Sequence, residues 1–201
     1  MKTFCIRLFG VCAMAALGNV THAGEPIHWR IDPVHSRLVL KVSHAGFSES
    51  MATLSSLSGE LQFDPEDWSS ARVEAEIPLR TLDFGDADWN RRMARDDFFA
   101  VNSHPQARFV STRIVEHDAL RAEVHGVLHF RGQQTPVVLT VQRNALGRKL
   151  PWIARKRVGF SAQAVLLRRE LGVDRYPGVI GDEVRVELQI EAERSRDGLR
   201  D

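Results

Sequence analysis

Hydrophobic and polar residues alternate along most of this chain. Near the C terminus, Val184, Val186, Leu188 and Ile190 alternate with arginine, glutamate and glutamine. A period of two residues is typical of a β-strand with one buried face. The same alternation predicts eight strands, at residues 36–44, 57–63, 72–79, 107–115, 120–130, 135–141, 158–166 and 184–190.

The segment from Asp86 to Phe99 lacks this alternation, which favours a short helix or a lid. Eight amphipathic strands in about 170 residues predict an all-β fold, with one closed or nearly closed antiparallel sheet. A sandwich of two sheets also accommodates eight strands, and the number of strands does not distinguish the two architectures.

One face of the predicted strands carries many small residues, namely Ser36, Gly59, Ala75, Ser111, Ala162 and Ala164. Small inward residues leave room inside an eight-stranded barrel, which can then hold a ligand. Each unpaired charge in that interior would cost several kcal/mol. The opposite face should therefore lie outside, with the charged residues Arg37, Lys41, Arg72, Glu74, Arg185 and Glu187.

The first 23 residues have the layout of a cleaved secretory signal peptide. Lys2 and Arg7 provide a basic start, Leu8 to Leu17 form a short apolar run, and Ala23 is a small residue at the expected cleavage site. The apolar run is too short to span a membrane comfortably. We therefore expect export, followed by a single mature domain of residues 24–201.

The composition of the mature chain excludes several kinds of functional site. Both cysteines, Cys5 and Cys12, lie in the signal peptide, so disulfides, cysteine nucleophiles and thiolate metal sites are excluded. Without Lys2 and Arg7, 25 basic residues face 26 acidic ones. This balance gives no sign of a nucleic-acid partner.

Seven histidines remain in the mature chain, but they are dispersed. His125 and His129 share one strand face about 13 Å apart, at ~3.3 Å per residue. His35 and His44 lie near opposite ends of another strand. Because zinc sites usually show tighter ligand clusters, we expect structural histidines and no metal, although a ligand set drawn from several strands stays open.

The chain also lacks a catalytic signature. It contains no G-x-S-x-G motif and no glycine-rich phosphate loop, and the neighbours His35 and Ser36 point to opposite faces of a strand. The pair Asp96-Asp97 is interpreted as capping the segment that it borders. We therefore expect no enzymatic activity.

Two local features allow either a structural or a functional interpretation. Phe98 and Phe99 either pack in the core or lie across a barrel mouth against an apolar ligand. Arg168 either forms a structural pair with Glu170, which we favour, or contacts a polar head group.

Six short motifs follow one another along the mature chain: WRIDPVHS at 29–36, LSGELQFD at 57–64, DDFF at 96–99, HPQARFVST at 104–112, GVLHFRGQQTPVVL at 126–139 and RRELG at 168–172. In this order they resemble the YceI-like family of polyisoprenoid-binding proteins. The chain departs from the family pattern at three places. Arg92-Met93 replaces His-Leu, Leu171 replaces Phe, and His129 stands where the family often has Thr.

The resemblance implies an eight-stranded antiparallel barrel, lipocalin-like in shape, whose interior tunnel holds an isoprenoid chain or another long lipid. It also implies a periplasmic location and commonly a homodimer. In such a barrel Trp29 would close one end, Asp32-Pro33 would turn the chain, and His35 would form a hydrogen-bonded corner and not act as a catalyst.

The leading hypothesis is a periplasmic protein that sequesters or carries a long apolar lipid and needs no cofactor. A hydrolase or isomerase acting on a lipid is the second hypothesis, and a secreted stress or interaction protein with a filled core is the third. Under the first, Met93, Phe98 and Phe99 lie near the entrance, and the interior is lined by Leu38, Leu40, Val42, Leu57, Leu61, Phe63, Phe109, Leu128, Phe130 and Phe160.

Overall fold

The computed structural model describes residues 27–148 and 155–195. The predicted signal peptide, residues 1–23, lies outside the described residues. The described part of the chain is mostly strand, with one α-helix, α1 (Ala87–Met93). The strands are β1 (His28–Ile31), β2 (Arg37–His44), β3 (Ser48–Leu54), β4 (Ser58–Asp64), β5 (Asp67–Pro78), β6 (Gln106–Asp118), β7 (Arg121–Phe130), β8 (Gln133–Gly147), β9 (Arg157–Leu167) and β10 (Ile180–Arg194).

Eight of these strands form a closed antiparallel ring in the order β1-β4-β5-β6-β7-β8-β9-β10, which the pairing of β10 with β1 completes. β2 and β3 extend the wall at one end, where β2 pairs with β10 and β3 pairs with β2. The predicted eight-stranded barrel is therefore confirmed, and the alternative of a two-sheet sandwich is wrong.

The first wall of the barrel bends between β1 and β2. The Asp32 carboxylate accepts hydrogen bonds from the backbone N–H groups of Val34 and His35, at 2.9 and 3.3 Å. The Ser36 hydroxyl then bonds the backbone of Glu191 in β10, which fixes the start of β2. A local turn of this kind lets two short strands pair one after the other with the same long partner.

β3 has a sequence, SESMATL, that the alternation did not reveal. Of its inward residues Ser50, Ala52 and Leu54, two are small, and Ser50 is buried while the larger Met51 on the opposite face is 60% exposed. Burial therefore runs against hydrophobicity at these two positions. Tertiary pairing with β2 forms the strand where the local pattern gives no signal.

The chain between β5 and β6 covers one end of the barrel, which we call the lid end. A short 3-10 turn (Leu79–Thr81) precedes α1, and Asp86 caps the helix by accepting a hydrogen bond from the Trp89 backbone at 2.8 Å. The expected capping role of Asp96-Asp97 is wrong, because Asp97 instead pairs with Arg92. No helix in the described residues is long and apolar enough to cross a membrane.

The outer surface of the barrel carries ion pairs between neighbouring strands. Lys41 contacts Glu187 at 2.6 Å, and Arg108 contacts Glu74 at 2.6 Å. Cross-strand pairs of opposite charge modestly stabilise a sheet. These charged side chains therefore point away from the barrel interior, as the alternation predicts. Arg72, which was also predicted to lie outside, is exposed but borders the cavity.

Candidate functional site

The interior of the barrel contains a cavity of about 570 Å³. Pockets for small molecules typically measure about 300–1,000 Å³. At about 30 Å³ per water molecule, this volume corresponds to roughly twenty water-sized groups. The cavity has the capacity for a sizeable ligand.

The cavity walls bring together side chains from all around the barrel. Phe63 and Trp68 line it at one end, and Phe84 and Trp89 line it at the lid end. Every residue that the alternation and the resemblance suggested for the interior lies along this cavity: Leu38, Leu40, Val42, Leu57, Leu61, Phe63, Met93, Phe98, Phe99, Phe109, Leu128, Phe130 and Phe160.

The small inward residues serve different purposes. Ala75, Ala162 and Ala164 line the cavity and leave space in it. Ser111 instead accepts a hydrogen bond from the Val73 backbone at 2.9 Å. Gly59 permits a close approach of β4 to β5, since its φ is +140° and a Cβ atom there would lie 2.1 Å from the Glu74 carbonyl oxygen.

Packed aromatic rings close the end of the barrel opposite the lid. The rings of Phe63, Trp68 and Phe160 contact one another edge to face, with centroids 4.9, 5.4 and 6.0 Å apart. Trp29 is fully buried beside them and donates a hydrogen bond of 3.0 Å to the Phe63 carbonyl oxygen. Edge-to-face packing of this kind stabilises aromatic clusters beyond the burial of their area. This is the closed end of the barrel.

Aromatic rings also surround the cavity at the lid end, but two of them, those of Trp89 and Tyr176, are exposed. Trp89 of α1 stacks on Phe84 at 5.1 Å, and Tyr176 stacks on Phe98 at 6.3 Å. Phe99 packs edge to face against Phe130 at 5.8 Å. The sequence reasoning missed Trp89 and Tyr176, although a tryptophan in the only segment without alternation was an available signal.

One cationic side chain, that of Arg92, lies among these rings. The Arg92 guanidinium lies 5.2 Å from the ring centroid of Phe98 and 5.9 Å from that of Tyr176. Its Nη2 atom donates to the Asp97 carboxylate at 3.0 Å and to the Tyr176 hydroxyl at 2.9 Å. Arg92 and Tyr176 both line the cavity, so they bring polar atoms to a mostly apolar space.

Arg168 also lies at the lid end, but its guanidinium is used within the protein. It is buried and donates four hydrogen bonds of 2.7–3.0 Å to backbone carbonyls, those of Val173, Arg175, Ile180 and Gly181. The favoured pairing with Glu170 is wrong, because Glu170 is exposed and these carbonyls are the acceptors. Arg168 thus organises the loop between β9 and β10, and most of its donors are unavailable to a head group.

One group of side chains in the described residues has the spacing of metal ligands: Asp32, His35 and Glu191. The Arg157 guanidinium lies between the two carboxylates, 3.0 Å from Asp32 and 2.8 Å from Glu191. Partial burial opposes ionisation of Asp32, but hydrogen bonds from the His35 side chain and the Val34 backbone outweigh it and lower its pKa. The arrangement is that of an ion-pair network at the β1–β2 corner, which contains the hydrogen-bonded His35.

The polar groups along the cavity do not form a catalytic arrangement. His44 and Ser50 both line it, and the His44 ring lies 6.3 Å from the Trp89 ring. Within residues 27–148 and 155–195, neither of the serines that line the cavity, Ser43 and Ser50, forms a side-chain hydrogen bond with a histidine ring. The nucleophile–base pair that serine hydrolysis needs is thus not found among the described residues along the cavity.

Comparison with known proteins identifies relatives over nearly the whole chain. A UPF0312 protein of Vibrio cholerae is 26% identical over 182 residues, which cover 90% of this chain and 93% of the relative. A UPF0312 protein of Pseudomonas putida strain GB-1 is 25% identical over 197 residues, which cover 97% and 98%.

Two solved structures share the fold. BcnA of Burkholderia cenocepacia has a TM-score of 0.72 and 21% identity, with 80% of this chain and 98% of BcnA covered. A polyisoprenoid binding domain from Saccharophagus degradans has a TM-score of 0.63 and 17% identity, with 85% and 99% covered. The family model of the YceI-like domain matches residues 29–192, which include both ends of the barrel. The chain belongs to the YceI-like family.

Proposed function

We propose that this chain is a binding protein that sequesters or carries a long-chain isoprenoid or a similar apolar lipid in its barrel, without catalysing a reaction. The observation that carries this proposal is the apolar cavity of about 570 Å³. Burial of hydrocarbon is worth about 0.8 kcal/mol per methylene group, so a long apolar chain gains much by leaving water for such a space.

The fold comparison supports the same class of ligand. The neighbour from Saccharophagus degradans is described as a polyisoprenoid binding domain. An interior with room for a ligand favours a binding protein over a protein with a filled core. The scarcity of interacting polar groups along the cavity favours binding over hydrolysis or isomerisation of a lipid.

We also propose that the protein acts in the periplasm. This follows from the signal-peptide layout of residues 1–23, with cleavage at or near Ala23. The intact mass of the exported protein tests it, and a mass that retains residues 1–23 would contradict it. The homodimer that the family resemblance implies stays a prediction, which light scattering on the purified protein would measure.

The test of lipid binding is to extract the purified mature protein with organic solvent and to analyse the extract by mass spectrometry. A long apolar lipid should be present in wild type and lost in Ala162→Trp, which fills part of the cavity. Gln163→Trp adds the same ring on the exposed face of β9 and should retain the lipid.

The melting temperatures of both variants complete the test. If the interior is a tunnel, Ala162→Trp loses lipid but keeps most of its stability. If the interior is instead a packed core, the same change costs ~1–3 kcal/mol or more through overpacking. A strongly destabilised Ala162→Trp, together with a wild type that carries no lipid, would contradict the proposal.

A further inference from the structure

We propose that the ligand carries an anionic head group, a carboxylate or a phosphate, and that Arg92 binds this group at the lid end of the cavity. This inference rests on the proposed lipid-binding function and specifies the chemical class of the lipid.

The first observation is that Arg92 has unused hydrogen-bond donors at the cavity. Both of its hydrogen bonds, to Asp97 and Tyr176, use the Nη2 atom. Within the described residues, its Nε and Nη1 atoms have no acceptor. Arg168 provides the contrast, since four of its donors are used by backbone carbonyls. Arg92 therefore has donors to offer a ligand, and Arg168 has few.

The second observation is an excess of positive charge around Asp97. Its carboxylate lies 3.0 Å from Arg92, 3.5 Å from Arg175 and 4.0 Å from Arg95. Within the described residues, one carboxylate thus faces three guanidinium groups. A second anion at this place would compensate the remaining charge.

The neighbouring acidic residues do not compensate this charge in the described structure. Asp96 and Asp174 are exposed, and neither forms an ion pair with the three arginines in residues 27–148 and 155–195. Arg131 contacts this segment as well, but it donates to the backbone carbonyl of Asp96. Among the described residues, Asp97 is therefore the single carboxylate in contact with the arginine cluster, which consists of Arg92, Arg95 and Arg175.

The third observation concerns the position of Tyr176. Its φ is +52°, a left-handed conformation that is unfavourable for a residue with a side chain. The ring nevertheless stacks on Phe98, and its hydroxyl accepts from Arg92. Unfavourable backbone conformations that the surrounding structure enforces occur often at ligand sites. Tyr176 and Phe98 thus hold the Arg92 guanidinium in place at the cavity.

Chemistry favours an anion over a neutral head group at this position. A guanidinium is planar and weakly hydrated, and it binds carboxylates and phosphates through several hydrogen bonds at once. An apolar chain in the cavity would place its head group at the lid end, where Arg92 lies.

The test compares ligands that share one hydrocarbon chain and differ in the head group. Hexadecanoic acid, hexadecyl phosphate, hexadecanol and methyl hexadecanoate are each titrated by calorimetry into delipidated protein at neutral pH. At least one of the two anions should bind roughly tenfold or more tightly than the alcohol and the ester. The two anionic ligands decide between a carboxylate and a phosphate, and inorganic phosphate alone should bind weakly.

Variants test whether the preference for anionic ligands depends on the arginines around Asp97. Arg92→Gln should reduce the affinity for the anions to that for the ester, and Arg175→Gln should reduce it by a smaller factor. Asp97→Asn should act in the opposite direction, because it removes the competing carboxylate. Arg169→Gln is the matched control at the same end of the barrel, where Arg169 pairs with Asp182 at 2.9 Å, and it should retain the preference.

The outcomes separate this inference from the proposed function. Equal binding of all four ligands, or tighter binding of the alcohol, would overturn the anionic head group and leave the lipid-binding proposal in place. A preference for anions that persists in Arg92→Gln would overturn the assigned site. Failure of every ligand to bind would overturn both proposals.

Discussion

Aromatic rings gather at both ends of this barrel, but their surroundings differ. At the closed end, Phe63, Trp68 and Phe160 contact one another, and Trp68 is only 3% exposed. At the lid end, Trp89 is 37% exposed and Tyr176 is 46% exposed. The first cluster buries its rings, whereas the second leaves Trp89 and Tyr176 open to solvent beside the cavity.

The two ends also treat charge differently. At the closed end, the Arg143 guanidinium lies 5.9 Å from the ring centroid of Phe63, but Arg143 does not line the cavity. Arg72 of β5 lines the cavity but is exposed. At the lid end, Arg92 lies between two rings that both line the cavity. Complete burial is typical of residues that stabilise a fold, and exposed aromatic residues mixed with arginine are typical of binding sites. We infer that the closed end supports stability and the lid end supports binding.

The test with the largest expected effect on stability replaces one tryptophan at each end of the barrel. Trp68→Ala should destabilise the protein by about 3–5 kcal/mol, because it removes a buried ring from a packed cluster. Trp89→Ala should cost about 1 kcal/mol, because its ring is partly exposed before the change. The free energy of unfolding in urea measures both. Equal costs would contradict the division of roles between the two ends.

A substitution of Arg168 should give the next largest effect. This residue also limits the comparison of the two ends, because it lies at the lid end and yet stabilises the fold. Although it lies at the lid end, its four hydrogen bonds to backbone carbonyls hold the loop between β9 and β10. Arg168→Met should destabilise the protein by about 2–3 kcal/mol, since it leaves partly buried carbonyls without donors. Arg169→Met, at the exposed neighbouring position, is the control and should change urea unfolding little.

The sequence predicted the barrel well because the relevant information is local. Period-two alternation assigns inward and outward faces without knowledge of the strand partners, and the described strands follow that assignment. β3 was missed because the buried Ser50 and the exposed Met51 reverse the usual relation between polarity and burial. That relation is fixed by tertiary pairing, which a local pattern does not contain.

The lid end was predicted less completely than the walls. Phe98, Phe99 and Met93 were assigned to the entrance from the sequence, but Tyr176 was not. Arg92 and Tyr176 are 84 positions apart in the chain, and they meet only because the β9–β10 loop returns to the lid after the barrel closes. The charged residues near Arg92 in the sequence did not indicate that three arginines would surround the carboxylate of Asp97.

Trp29 should give an intermediate effect at the closed end. Trp29→Phe keeps an aromatic ring but removes the hydrogen bond of 3.0 Å to the Phe63 carbonyl oxygen. Because this carbonyl is buried, we expect a cost of about 1–2 kcal/mol. Tyr176→Phe is the matched change at the lid end, where it removes the exposed hydroxyl that accepts from Arg92 and should cost less. A larger loss for Tyr176→Phe in urea unfolding would reverse the comparison.

The smallest expected effect concerns pH and the Asp32 corner near the closed end. Partial burial opposes ionisation of Asp32, but hydrogen bonds from His35 and from the Val34 backbone outweigh it and lower the pKa below its ordinary value of 3.8. Since the pKa is lower in the folded state, the ionised carboxylate contributes stability that is complete above the unfolded pKa. That contribution is lost as the pH falls below 3.8 through the folded pKa. Asp32→Asn should therefore cost about 1 kcal/mol at neutral pH, and the unfolding free energies of variant and wild type should converge in acid. Asp174→Asn is the control, because Asp174 is an exposed carboxyl at the lid end, and it should leave the pH dependence of the unfolding free energy unchanged. If the difference in unfolding free energy between wild type and Asp32→Asn stays constant into acid, the corner does not depend on the charge of Asp32.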